Sequence, residues 1–317
     1  MFAMHSKTPQ PDDPLPGHAL IPGTQHRAFV AEVPEKPPLP VLISVPHSGR
    51  AYPESILARM RDPDFSRLRL EDRLVDVLAR EVAAQSGAPL IVAQAPRAML
   101  DLNRAADDMD WSMVRGQPPG GSAHSRGNRR ARTGLGLVPR RLPGLGEIWK
   151  EPLTPEDVAE RIGAIHEPYH RAVSDALGLV RKRWGAALLI DLHSMPPLRP
   201  RHADDWPAEF VIGDRFGASA DGMITAAALR YFGRLERRAA HNRPYAGGYV
   251  LDRHGKPTLG IHAIQLEVCR SLYLDPRHEE ASARLPVLAR TLAGLVRELA
   301  LEVVPPARER DLPLAAE

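Results

Sequence analysis

The chain has 317 residues, with 42 Lys and Arg against 39 Asp and Glu, a formal net charge of +3 and a pI near 9.2. That length supports an independently folding core, and so small a basic excess gives no reason to expect a nucleic-acid partner. The single cysteine, Cys269, excludes an internal disulfide and a cysteine-based zinc site. No apolar run approaches the ~20 residues that span a bilayer, so no membrane partner is expected. The opening MFAMHSKTPQPDDPLPG lacks the apolar centre of a secretory signal, and a cytoplasmic location is the expectation.

Proline punctuates the chain and suggests its organisation: an irregular leader over residues 1–39, one α/β/α domain over 40–303 with a loop excursion at 105–150, and a flexible tail over 304–317. Val41 to Val45 is a short β-rich apolar run ended by Pro46 and Gly49, as in a buried strand. Leu70, Leu74, Val77, Leu78 and Val82 recur at helical spacing, and Gly87 marks the end of that helix. Residues 89–96 and 98–104 read as extended. Residues 153–185 read as a long helix, with Thr154 as N-cap, Pro155 in the first turn and Asp157 at the capping-box position. AALLIDLHSMP (186–196) is a second buried strand, EFVIGDRFG (209–217) a strand and loop, and 218–233 a helix. Residues 249–270 suit a hairpin turning at His254-Gly255, and 278–302 the last helix. Alternating strands and helices predict a three-layer fold that places ligands at the carboxyl ends of its strands.

HEPYH, residues 166–170, matches the zincin pattern H-E-x-x-H. Pro168 lies inside it and should kink the helix where two ligands need regular spacing, so the segment reads better as a helix face packing Tyr169 and His170. An intermediate reading has one of those two side chains reaching the pocket behind the ligands. His47 and His193 each close an apolar strand. Asp191 and His193 point to the same side by the period of two, so Asp191 could orient the imidazole. Two strand-end histidines and one carboxylate would make the open ligand set of a catalytic zinc. Asp72, Asp76 and Glu54 are the candidates for the carboxylate, and spacing does not choose among them. Glu267, near the end of the apolar run IQLEV, is either a general base or the partner of Arg270. Asn103 and Arg104 could hold a substrate carboxylate. In NRPYAGGY, containing Asn242, Tyr245 and Gly247, the glycines permit close backbone approach. The Arg/Gly-rich stretch 115–141 lacks aromatic residues for base stacking and reads first as a solvated loop, with a lid over the pocket as the alternative.

Taken in order, SVPHSG, RAMLDLNR, IDLHSMP, FVIGD, NRPYAGGY and IQLEVCRSLYLD resemble the N-formylglutamate amidohydrolase family over about residues 40–276. That family is similar in turn to zinc carboxypeptidases and aspartoacylases. The resemblance implies a phosphorylase/hydrolase-like α/β/α fold with a mixed central sheet, one Zn2+ ion, and hydrolysis of the formyl or other acyl amide of an N-acyl amino acid such as N-formylglutamate. It implies His47 and His193 as zinc ligands, Glu267 as the group that activates water, and Asn103-Arg104 as the pair that binds a substrate carboxylate, Arg104 also facing the oxyanion. Asp72 is the implied second ligand, although the H-x-x-E pattern of the carboxypeptidases is replaced here by His47-Ser48-Gly49-Arg50. Arg270 and the NRPYAGGY loop are further substrate contacts on this reading. A carboxypeptidase-like peptidase and a non-catalytic binder of an acidic ligand are the alternatives.

Overall fold

The computed structural model describes residues 19–116, 129–200 and 206–304. Residues 1–18 of the expected leader, 117–128 of the basic stretch and 305–317 of the expected tail lie outside the described residues. The first half of the chain forms β1 (Phe29–Glu32), β2 (Val41–Val45), α1 (Glu54–Arg59), α2 (Pro63–Leu70), α3 (Val75–Ser86), β3 (Leu90–Ala93), α4 (Arg129–Arg132), β4 (Arg141–Leu142) and β5 (Gly146–Glu147). Then come α5 (Pro155–Arg161), α6 (Glu167–Trp184), β6 (Ala187–Met195), β7 (Phe210–Gly213), α7 (Gly222–Arg234), β8 (Ala239–His241), α8 (Tyr249–His254), β9 (Ile261–Cys269) and α9 (Leu285–Val303).

Seven strands form one mixed sheet in the order β1-β3-β2-β6-β9-β7-β8. Strands β3, β2, β6 and β9 run parallel, β1 runs antiparallel to β3, and β7 runs antiparallel to β9 but parallel to β8. The period of two along the central strands sorts the layers. Val41, Ile43, Leu188, Ile190, Ile264 and Leu266 pack with α3, α7 and α9 on one face. Leu42, Ala187, Leu189 and Ala263 pack with α6 and α8 on the other. Helices on both faces of a mostly parallel sheet make the three-layer α/β/α architecture. Each fully buried Leu, Ile or Val side chain contributes about 1.5–3 kcal/mol to holding the layers together.

Several local expectations are corrected. Residues 249–254 are helical rather than the first arm of a hairpin, because Val250, Leu251 and His254 bury one face at helical spacing, and only Ile261–Cys269 is a strand. Residues 98–104 form turns closed by Met99 N–H to Pro96 O and Arg104 N–H to Asp101 O, not a strand. The leader contributes β1, whose Phe29 is buried. In the basic stretch, Ala131, Leu137 and Val138 are buried, so residues 129–141 are packed rather than solvated. Helix α5 has the full Thr154–Asp157 capping box. Pro168 does not break the helical segment: a π turn at Ile162–His166 joins α5 to α6, and Pro168 falls in the first turn of α6, where a missing N–H costs least. Among the described residues, no helix is long and apolar enough to cross a membrane.

Candidate active site

The sheet register builds a polar row on the face that carries α6 and α8. Ser44 pairs with Asp191, Asp191 with Gln265, and His193 with Glu267 across β2, β6 and β9. Alternate residues on these strands are the apolar ones of the opposite face, so the row is buried polar chemistry at the strands' carboxyl ends. Such groups persist only when partnered, and the partners are specific. Asp191 Oδ1 accepts from Ser44 Oγ at 2.7 Å, and Asp191 Oδ2 lies 2.8 Å from His193 Nε2.

His47 follows β2 in the turn closed by Gly49. A Cβ on Gly49 would lie 2.0 Å from the carbonyl oxygen of Ala95, so only glycine lets the turn approach the backbone just past β3 so closely. His47 Nε2 is 2.6 Å from Asp101 Oδ1. Each imidazole therefore has Nε2 held by a carboxylate and turns Nδ1 inward. Asp72 Oδ2 lies 3.0 Å from His193 Nδ1 and 3.7 Å from His47 Nδ1. The break between α2 and α3 delivers Asp72, whose N–H donates to the His47 carbonyl at 2.9 Å, while Leu74 takes a left-handed φ of 55° before α3 begins. His47 Nδ1 is buried with no hydrogen-bond partner among the described residues. One ligand atom from each of His47, Asp72 and His193 falls within 4.8 Å of the others. Two imidazole nitrogens and a carboxylate oxygen facing one another, with each imidazole's far nitrogen bound to a carboxylate, fit a divalent cation.

The electrostatics agree. Burial favours the neutral form of Asp72, but hydrogen bonds and charge from His193 and His47 outweigh it and hold the carboxyl well below its usual range. Burial also opposes charge on His193, yet Asp191 and Asp72 push its pKa well up. Glu267 differs: burial raises it to about 7, with Asp72 adding to the rise and His193 opposing it. One of its oxygens accepts from Gln265 Nε2 at 2.8 Å.

Of the other sequence candidates, Asp76 forms a two-pronged ion pair with Arg50, and Glu54 is exposed at the start of α1, so neither joins the histidines. Asn103 lines the pocket with its amide engaged: Oδ1 accepts from Val250 N–H at 2.9 Å and Nδ2 donates to Gln265 Oε1 at 3.2 Å. Arg104 also lines it, but its Nε and Nη1 donate to the carbonyls of Leu135 and Asn103. Arg270 is not the partner of Glu267; it donates to Ser194 Oγ and to the Glu71 carbonyl and lies 3.4 Å from Asp72 Oδ1. Tyr245 and Gly247 line the pocket. Asn242 does not, because its amide is bound to Asp214. The HEPYH histidines stand apart from this pocket. His166 Nε2 lies 2.9 Å from the Arg104 carbonyl, and His170 Nδ1 lies 3.0 Å from His254 Nε2. Tyr169 is wholly buried, edge-on to Phe29, and neither it nor His170 lines the pocket, although Tyr169 stands beside Ser44 and Asp191, the carboxylate that holds His193.

Sequence reading passes over three participants. Asp101 orients His47. Arg97 donates from Nε to Asp101 Oδ2 at 2.9 Å, and its Nη atoms have no acceptor among the described residues. Arg130, in α4, lines the same pocket. The one available signal is the i, i+4 spacing of Arg97 and Asp101 in RAMLDLNR.

Fold and site together define an α/β protein of hydrolase type, with a His-Asp-His group able to hold a metal ion beside a carboxylate at the strand ends. The chain belongs to the N-formylglutamate amidohydrolase family, whose model matches residues 39–274. Among curated proteins it is 28% identical over 283 residues to the N-formylglutamate deformylase of Pseudomonas aeruginosa, covering 86% of this chain and 95% of that one. It is 29% identical over 250 residues to the Pseudomonas putida protein of the same name, covering 75% and 82%. The crystal structure of N-formylglutamate amidohydrolase from Ralstonia eutropha superposes with a TM-score of 0.76 at 30% identity, over 87% of this chain and 98% of that one.

Proposed function

We propose that the chain is a zinc-dependent amidohydrolase that releases formate from an N-formyl amino acid, with N-formylglutamate the leading substrate and the cytoplasm its site of action. The observation that carries this reading is the inward-facing His47–Asp72–His193 group with Glu267 one strand away from His193. The names of the Pseudomonas relatives support the formyl group. Two nitrogens and one carboxylate oxygen suit zinc with a position left open.

When bound, such an ion supplies a Lewis acid that polarises a carbonyl and acidifies water. Glu267 takes a proton from the attacking water and returns it to the leaving amine, a task suited to a carboxyl raised to about 7. Asp101 and Asp191 keep the two imidazoles in one tautomer and orientation. Arg97 presents its Nη groups to the substrate's α-carboxylate, and Arg104 adds positive potential beside it.

Elemental analysis after dialysis, with a formate-release assay on N-formylglutamate, tests the reading. About one zinc per chain with formate release is expected. A protein that binds no zinc and releases no formate overturns it. Metal binding without turnover favours a non-catalytic binder, and cleavage of unformylated dipeptides in preference to formyl amino acids favours the peptidase.

A further inference from the structure

We propose that Arg130, carried by the basic excursion rather than by the sheet, forms a second carboxylate subsite and selects substrates whose side chain is itself an acid. This inference rests on the amidohydrolase reading and assigns its substrate class to a residue.

Arg97, Arg104 and Arg130 line the pocket, and the charges that act on each set their order. Arg97 is innermost: it is bound to Asp101, and the charges of Asp72 and Glu267 act on it. Arg104 comes next, with Nε and Nη1 tied to backbone carbonyls and the positive charges of both Arg97 and Arg130 acting on it. Arg130 is outermost and exposed, and its guanidinium has no hydrogen bond or ion pair among the described residues.

The position of Arg130 is fixed by its surroundings. Ala131, 1% exposed, donates its N–H to Asp108 Oδ1 at 3.1 Å. Leu135 N–H donates to the Arg130 carbonyl at 3.0 Å, and the Leu135 carbonyl in turn accepts from Arg104 Nε at 3.0 Å. A Cβ on Gly136 would lie 2.5 Å from the Asp108 carbonyl oxygen, so this turn packs against the 105–110 stretch with no room to spare. The same few residues therefore hold Arg104 and fix the backbone of Arg130 at the pocket's edge.

Gathering like charges is costly unless a ligand neutralises them. Asp101 is a carboxylate bonded within the series, and it is shared by Arg97, His47 and the Asn103 N–H. The α-carboxylate of an N-formyl amino acid, next to the scissile amide, meets the inner arginine. An uncharged side chain would leave Arg130 without a counter-charge among the described residues, whereas a side-chain carboxylate, several bonds farther from the amide, extends outward to it. Two further pocket arginines are differently placed: Arg270 is bound to Ser194 and the Glu71 carbonyl, and Arg69 lies over the Phe65 ring.

The test compares kcat/KM for N-formylglutamate and N-formylglutamine, nearly isosteric but differing in side-chain charge, in the wild-type protein and in Arg130→Gln, Arg130→Lys, Arg69→Gln and Arg132→Gln. The wild-type preference for the acid should shrink about ten- to a hundredfold in Arg130→Gln, mostly through KM, with turnover of N-formylglutamine unchanged. Arg130→Lys should restore part of the preference, and Arg132→Gln, on the same turn but off the pocket, should leave it intact. An unchanged preference in Arg130→Gln, or its collapse in Arg69→Gln instead, overturns the assignment. Calorimetric titration with glutarate and butyrate gives a readout independent of catalysis. Glutarate binding should weaken about tenfold in Arg130→Gln with butyrate unaffected, and equal responses overturn the proposal. If the wild-type protein hydrolyses neither formyl amino acid, the amidohydrolase reading fails while these titrations still decide the subsite.

Discussion

His47 and Asp101 are joined by a 2.6 Å contact from Nε2 to Oδ1 and are both almost wholly buried. The contact fixes which nitrogen of His47 faces Asp72. It is matched by the Asp191 contact to His193 Nε2, so the two imidazoles are aimed by the same device from different parts of the chain.

Metal affinity should therefore depend on residues that never touch the metal. Asp101→Asn keeps a hydrogen-bonding oxygen near His47 but removes the charge, and zinc affinity should fall about ten- to a hundredfold in competition titrations with a chromophoric chelator. His193→Ala removes a ligand atom and should leave no zinc after dialysis. Undiminished metal content in His193→Ala would exclude it as a ligand.

Glu267 and the metal group should separate cleanly. Glu267→Gln preserves shape and the contact with Gln265, so zinc content should stay at the wild-type level. Formate release should drop at least about a hundredfold, the usual loss on removing a general base. Near-normal turnover in a folded, zinc-replete variant would remove Glu267 from the proton transfers.

The buried histidines where α6 meets α8 predict an acid sensitivity separate from the active site. Burial, with Arg253 and Lys256 nearby, lowers the pKa of His254 to about 3, and burial with His166 and His254 lowers His170 as well. The unfolded chain takes up protons at these positions below about pH 6.5, while the folded chain does not. Stability is thus fully present above that pH and falls as pH drops toward 3, by at most ~1.4 kcal/mol per pH unit for each group. Urea melts at pH 7.5 and 5.0 should show the loss, and His254→Gln should make it smaller. An equal pH dependence in the variant would show that other groups set it.

Gly49→Ala should be costly although the side chain added is a single methyl. The methyl would collide with the Ala95 backbone, which is held by its N–H to the Ala28 carbonyl. A loss of at least about 2 kcal/mol is expected, read as a lowered urea midpoint, together with weaker zinc binding because the turn carries His47. A wild-type melt would mean that the turn relaxes freely.

His47, His193 and Glu267 stand out in the sequence because each interrupts an apolar run close to its end, where a buried strand meets solvent. The three-layer order is legible for the same reason, since runs of period two alternate with stretches of period 3.6. Asp101 and Arg97 are not legible, because they lie in a turn whose path is set by distant contacts such as Asp101 N–H to the Leu137 carbonyl. The choice of Asp72 over Asp76 and Glu54 depends on the left-handed Leu74, which no local pattern announces. Tyr249–His254 reads as an extended arm because Tyr249, Val250 and Leu251 favour strands, and burial against α6 and β6 overrides that preference. The π turn before Pro168 likewise answers to packing, which no local rule encodes.

The short outer strands have a consequence for how the chain must be handled. β1 spans four residues and β8 three, so each rim of the sheet offers a neighbouring chain little free ladder to extend. That protection comes partly from the leader. A protein shortened to begin at residue 40 would bare Leu90–Ala93, four apolar residues of β3 whose outward hydrogen-bonding groups are met by β1 in the intact chain, and would turn a guarded margin into a template for aggregation.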